Sequence, residues 1–309
     1  DWDEFKKSLY LIHPALFRFT TQSALDSLFE KIKLEINDSI STYEFSNKIA
    51  PIFSSIEDAH TWQRLPKTKS SNLQIPLDIK IISNRIYIKN TISSNPKIMK
   101  GYLIESINNE AADFILNRLK QKISTDGGIE TTKNRVIEEW FRYIYDVDEV
   151  KNLPLRINSG TNSFNTTIEL LESNKIDSLR TLKGYDEKDK LLEPHYKFVI
   201  KEKVGVLTIS HFAPIKWKAY ITFIDESIKT LNKEEIENLI IDLRWNIGGP
   251  RNFPIYLYSK LTDKPFEYVD QLIVRKSTFD AEIPFDSTKI FENLKDDYFF
   301  VKNGFRGAG

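Results

Sequence analysis

The 309-residue sequence contains no cysteine. That excludes a disulfide framework, a thiolate zinc site, an iron–sulfur cluster and a cysteine nucleophile. Histidine is scarce. The four present, His13, His60, His195 and His211, lie far apart, with no H-E-x-x-H or H-x-H pairing. A histidine-built metal centre is therefore not expected, and no cofactor is implied. Neither sign of charge is in excess, since Lys+Arg and Asp+Glu both total 44. Without a basic surplus, nucleic acid is not an expected partner. No apolar run approaches the roughly 20 residues of a membrane span, so no transmembrane segment is expected. Internal repeats and low-complexity tracts are absent too. The chain opens on Asp1 without Met or a signal-like segment, as a mature or trimmed form would.

What is present is the composition of a folded protein: 40% hydrophobic and 28% charged residues. The first 66 residues read as helical. Leu25, Leu28, Phe29, Ile32 and Ile36 follow one helix face. Ser41 and Glu44 form an S-x-x-E capping box. Phe45, Ile49, Ile52, Phe53 and Ile56 continue as a second stripe, with Pro51 expected to kink or divide it. After a polar stretch over 67–72, residues 75–89 alternate as strands, with Ser83-Asn84 as their turn. Gly101 to Asn108 reads as another strand. Helices follow around Ile115, Leu116 and Leu119 and over 135–145, separated by the break Asp126-Gly127-Gly128. Phe164 to Leu171 reads as a returning strand, and a boundary is placed near Glu193. The last third is an α/β pattern. A hairpin over 198–209 leads to a helix from Trp217 to Leu231. A short buried strand, Leu239 to Leu243, precedes a helix that begins with Pro250 and runs through Leu261. Phe266 to Val274 is expected to return as one strand.

Two strings carry chemistry. The first is Asp242-Leu243-Arg244-Trp245-Asn246-Ile247-Gly248-Gly249-Pro250. A strand ends in an acid and a base that can pair. Asn246 can fix a turn through its side chain. Gly248 and Gly249 permit backbone geometry that other residues resist, and their N–H groups precede a helix, where anions are favoured. Such a nest suits a phosphate or the oxyanion of acyl transfer, and equally an ordinary tight turn. No Walker lysine and no G-x-G-x-x-G spacing accompanies it, which disfavours a nucleotide. The second string is Glu57-Asp58-Ala59-His60-Thr61. Histidine suits general-base work near neutral pH, and a lone histidine is also commonly a surface or capping residue. Asp58 can orient the loop, although an acid two residues from a histidine need not touch its ring.

Together these strings resemble the S41 family of serine peptidases, the tail-specific and C-terminal processing proteases and the tricorn core protease. Residues 242–249 match that family's D-L-R-x-N-x-G-G signature. Asp58-Ala59-His60-Thr61 is similar to its D-G-H-T element, with Ala59 in place of the usual glycine. His13-Pro14-Ala15-Leu16-Phe17 resembles an element of the helical cap of some members. Val204 to Phe212 looks like the strand that opens the catalytic domain. The likeness is strongest over 196–265 and weakest over 67–195, where Gly101 to Asn108 is faintly similar to a PDZ strand.

The resemblance implies a multidomain α+β and α/β protein. It would comprise a helical cap over 1–66, a β-rich domain over 67–193, and the N-terminal part of a ClpP/crotonase-like catalytic domain over 194–309. The middle domain is either PDZ-like or a plain β-rich insertion. The implied function is a serine-type endopeptidase acting on polypeptides outside the cytoplasm, in the periplasm, secreted or at the surface. His60 would be the general base and Gly248 or Gly249 the oxyanion donor. Asp58, Asp242, Arg244 and Asn246 would shape the loops. Family members with a Ser–Lys dyad would leave His60 without this role. The family's nucleophile follows a later strand-to-helix turn. Ser259, Ser277 and Ser287 do not fit that context, so the nucleophile is expected beyond this chain, which alone would be inactive. The alternative is a non-catalytic relative that binds peptide or an apolar ligand.

Overall fold

A computed structural model describes residues 2–37, 39–63, 72–147, 150–185, 195–212 and 216–268, and strands at 273–275, 291–295, 298–301 and 306–307. The chain divides into two compact units, Asp1–Tyr185 and Asp186–Gly309. Residue 193, the predicted boundary, and most of the polar stretch at 67–72 lie outside the described residues.

The first unit opens with α1 (Trp2–Ile12), α2 (Gln22–Lys33) and α3 (Thr42–Ile56). The predicted stripes converge: Leu25, Phe29, Ile32, Ile49, Ile52 and Ile56 are buried together with Leu16. Trp2 and Phe5 pack on the Phe29 ring at centroid distances of 5.4 and 5.6 Å. Both arms of the Ser41–Glu44 capping box form, which satisfies two of the free donors at the start of α3. Pro51 lies inside α3 without dividing it.

The same unit holds a sheet ordered β2-β3-β4-β6-β7, built from Leu77–Ile82, Arg85–Thr91, Leu103–Ile107, Asn152–Asn158 and Ser163–Glu169. The two-residue strand β5 (Glu110–Ala111) pairs with β4, and β1 (Leu73–Gln74) pairs with β8 (Leu171–Glu172). Ser83 and Asn84, at φ 49° and 60°, make the tight β2–β3 turn, a geometry that asparagine tolerates. Helices α4 (Ala112–Lys120) and α5 (Glu130–Ile144) bury Ile115, Leu116, Leu119, Ile137 and Phe141 against strand residues such as Ile79, Ile86 and Ile104. Helix α5 starts five residues before the predicted Arg135. Strand β6 and helix α6 (Ser173–Leu182) have no counterpart among the predicted elements.

In the second unit β9 (Tyr196–Lys201) and β10 (Val204–Ile209) form the predicted hairpin. Helix α7 (Trp217–Lys233) then returns the chain to β11 (Asn238–Asp242), which runs parallel to β10. Leu207, Ile209, Tyr220 and Ile224 are buried together with Phe253 and Leu257 of α8 (Asn252–Ser259). Three expectations are corrected. Strand β11 is not of the buried kind: it is the edge of a three-stranded sheet, and Ile240 is 54% exposed. Helix α8 starts at Asn252, because Pro250 sits in the preceding turn, where its carbonyl accepts from Phe253 N–H at 3.2 Å. The region 266–274 is not one strand: 266–267 pairs with 306–307, whereas 273–275 pairs with 298–301.

Candidate active site

Helix α3 ends at Glu57, which takes the left-handed conformation at φ 55° and turns the chain out of the helix. The next four residues form a tight turn, with Thr61 N–H donating to the Asp58 carbonyl at 3.0 Å. The Asp58 carboxylate closes this turn from inside, its Oδ1 accepting from His60 N–H at 2.8 Å. Its other oxygen lies 3.1 Å from His13 Nε2 and accepts from the Thr61 hydroxyl at 3.1 Å. Asp58 therefore holds the backbone of His60 rather than its ring, whose Nδ1 is 3.8 Å from Oδ1.

The turn is also tied to the α4–α5 connection. Ser124 Oγ donates to the Asp58 carbonyl at 2.7 Å, Asp126 Oδ1 accepts from Ala59 N–H at 2.9 Å, and Gly127 N–H donates to the Glu57 carbonyl at 3.0 Å. The His60 side chain projects from this framework and is 93% exposed. Burial works to raise the pKa of Asp58, but the His60 amide, the Thr61 hydroxyl and His13 outweigh it and hold the carboxyl below its ordinary value of 3.8.

One ligand atom each of Asp58, His60 and Asp126 lie within 4.8 Å of one another. Both oxygens of Asp58 and one of Asp126 already accept the hydrogen bonds that shape the turn. That chemistry builds a turn, and it makes this trio a poor set of ligands for a metal ion.

The glycine loop belongs to the second unit. Asp242, at the end of β11, accepts from Arg244 N–H at 3.1 Å and from the Arg244 guanidinium at 2.9 and 2.8 Å. These hydrogen bonds lower the Asp242 pKa. Asn246 clamps the loop to β10 through Nδ2, which donates to the Ile209 carbonyl at 3.0 Å, and its Oδ1 accepts from Gly248 N–H at 2.8 Å. Two backbone bonds, Ile247 N–H to the Ser210 carbonyl at 3.2 Å and Phe212 N–H to the Gly248 carbonyl at 2.9 Å, finish the docking.

Gly248 and Gly249 have φ of 90° and 146°. A Cβ on Gly249 would stand 2.7 Å from the Phe212 carbonyl carbon, whereas one on Gly248 would meet nothing within 4 Å. The Gly248 N–H is thus engaged, and the Gly249 N–H donates to no acceptor among the described residues. Of the two candidate oxyanion donors, Gly249 is the one whose N–H is available.

His60 therefore lies in the first unit, and Gly248, Gly249, Asp242, Arg244 and Asn246 in the second. Ser259 is the last residue of α8, its hydroxyl donating to the Tyr256 carbonyl at 2.8 Å. Ser277 and Ser287 lie outside the described residues. Ser210, buried beside the glycine loop, donates its hydroxyl to the His195 carbonyl at 3.2 Å. The participants that sequence reasoning missed are Ser124 and Asp126, together with the contact His13 makes. His13 was visible only as part of a cap element, and Asp126 only as part of a chain break.

No family model matches the chain, and no curated protein matches it. Solved structures similar in fold include three of CPAF. Mature CPAF, a chlamydial serine protease, is 14% identical with a TM-score of 0.56, covering 89% of this chain and 59% of its own. CPAF complexed with lactacystin is 14% identical with a TM-score of 0.57, at 89% and 60% coverage. A serine-to-alanine mutant of CPAF is 15% identical with a TM-score of 0.56, at 86% and 59% coverage. The chain therefore spans about 60% of the length of these structures. Among its described residues no helix is long and apolar enough to cross a membrane. At this level of identity the likeness defines architecture: the chain is a multidomain α+β protein whose fold is similar to that of CPAF.

Proposed function

We propose that this chain is part of a serine-type endopeptidase of the S41 kind. In this reading His60 is the general base and Gly249 N–H the oxyanion donor. The serine nucleophile is contributed by chain beyond these 309 residues. The observation that carries the proposal is the glycine loop. Asn246 fixes it and takes the Gly248 N–H, and this leaves the Gly249 N–H without an acceptor among the described residues. A preorganised donor of this kind stabilises a tetrahedral oxyanion better than it stabilises a ground-state carbonyl. The exposed His60 ring on a fixed turn has the freedom of contact that a general base needs. The CPAF-like fold supports the same chemistry, and the lactacystin complex accords with a site that takes peptide-like ligands.

The test uses the full-length protein and a labelled, unfolded polypeptide. His60→Ala is expected to lower turnover about a thousand-fold or more while leaving the circular dichroism spectrum intact. Unchanged turnover removes His60 from the mechanism. The 309-residue chain should resist labelling by a serine-directed phosphonate, and stoichiometric labelling would place the nucleophile inside it. A full-length protein that binds the polypeptide without cleaving it, and has no serine at a strand-to-helix turn, would instead be a non-catalytic relative.

A further inference from the structure

Residue 13 lies 45 positions before Asp58, yet its imidazole is buried at the His60 turn, with its side chain 5% exposed. Its two nitrogens are used differently. Nδ1 accepts from Ala15 N–H at 3.2 Å, which places the ring proton on Nε2. Nε2 then faces Asp58 Oδ2 at 3.1 Å and Thr61 Oγ1 at 3.0 Å. The ring is thus oriented by the chain just after α1, and it in turn orients the two side chains that close the turn around His60.

The consequence falls on Asp58. A carboxylate two residues before a histidine can bond either the backbone or the ring of that histidine. Here Oδ2 is held by His13 and Thr61, so Oδ1 is directed to the His60 amide at 2.8 Å, and the ring Nδ1, at 3.8 Å, stays beyond hydrogen-bond distance. Ser124, Asp126 and Gly127 fix the same turn from the other side. The turn is therefore held rigidly while the ring it carries is left open to solvent.

We propose that His13 is a positioning residue. It holds Asp58 and Thr61 so that the turn presents the His60 ring, not hydrogen-bonded to Asp58, for proton transfer. This deepens the reading of His60 as general base and rests on it. A wrongly placed base loses rate steeply, because an error of about 1 Å can cost on the order of a hundred-fold. It leaves polypeptide binding mostly unaffected.

The experiment compares His13→Ala, His13→Gln and the milder Thr61→Val with His60→Ala in the full-length protein on a labelled, unfolded polypeptide. Amide exchange at His60 and Thr61 is followed in parallel in the 309-residue chain. His13→Ala should lower kcat about 30-fold with KM changed less than about 3-fold. Its His60 and Thr61 amides should exchange at least about 10-fold faster while those of the distant sheet stay protected. His13→Gln, which returns an N–H near the place of Nε2, should recover most of the loss, and Thr61→Val should fall between. Full turnover in His13→Ala where His60→Ala is inactive overturns the positioning role and leaves the base intact. Loss of turnover with no change in the His60 amide, or with no rescue by glutamine, overturns it too. If His60→Ala is fully active, the base reading fails by itself. The exchange data then decide separately whether His13 holds the turn. Should His13→Ala unfold, Thr61→Val and His13→Gln carry the same comparison.

Discussion

The two candidate loops are built by opposite means. The His60 turn is assembled from distant parts of its unit: His13 from the end of α1, and Ser124 and Asp126 from the connection between α4 and α5. The glycine loop is assembled from its own neighbours. Asp242 binds Arg244, Asn246 binds Gly248, and the loop docks on the neighbouring stretch from Ile209 to Phe212. One loop depends on side chains reaching across a unit. The other depends on backbone conformations that only glycine adopts without strain. Their sensitivities to substitution should differ in kind.

The largest effect is expected where backbone meets backbone. Gly249→Ala would force a Cβ to within 2.7 Å of the Phe212 carbonyl carbon and 2.9 Å of its oxygen, and neither can swing aside. Overpacking and the strain of a positive φ together should cost about 3 kcal/mol or more. Gly248→Ala has open space and carries only the penalty for its φ of 90°, about 1 kcal/mol. Urea unfolding of both variants, followed by a probe in the second unit, measures the gap. Equal losses would mean that the loop yields at Phe212 and is not a fixed donor array.

The His60 turn should respond through Asp58, and with a pH signature of its own. Removing this carboxylate takes an acceptor from the His60 amide, the Thr61 hydroxyl and His13, so Asp58→Ala should cost about 2–3 kcal/mol. The folded-state pKa of Asp58 lies below its unfolded value. The unfolded state therefore takes up its proton first as pH falls. The stabilisation is complete above the ordinary value of 3.8 and is lost as the pH drops through the lower, folded pKa. As the pH falls from about 5 through the ordinary carboxylate value, the wild-type urea midpoint should fall more steeply than that of Asp58→Asn. Parallel curves would show that the carboxylate titrates alike in both states.

The same contrast explains how much was legible in the sequence. The glycine loop could be read because its determinants sit within eight residues and its strand, turn and helix follow in order. Elements with a clean period were also legible: α2 by its stripe, β2–β3 by alternation around Ser83-Asn84, and β9–β10 by its short turn. Strand β6 was not, since Pro154 interrupts its pattern. The structure tolerates that proline because the β4 ladder ends at the Ile107–Leu155 pair, one residue short of it. Strand β11 reads as buried from Leu239-Ile240-Ile241, but an apolar run says nothing about which side carries a neighbour. Here β10 lies on one edge, and no described strand lies on the other. The His60 turn was legible as a motif but not as a site. No spacing rule joins residue 13 to 58, or 58 to 124, and those contacts exist only once the unit has folded.

The smallest effect belongs to the residue that reads most like chemistry. Arg244 stands in the middle of the D-L-R-x-N-x-G-G string and makes a bidentate pair with Asp242. A bidentate guanidinium is commonly a substrate clamp, and this one is 81% exposed. Its partner is only two residues away, so the pair closes a local turn that Asn246 and the two backbone bonds to Ser210 and Phe212 already hold. An exposed pair of this kind is screened by solvent and salt and contributes little to stability. Arg244→Gln should therefore leave the urea midpoint unchanged within error at 0.15 M salt, roughly physiological ionic strength. In the full-length protein it should reduce turnover far less than His60→Ala or Gly249→Ala. A large loss of turnover with unaltered stability would move Arg244 from the framework to the substrate. The glycine loop would then resemble the His60 turn, presenting a side chain as well as an amide.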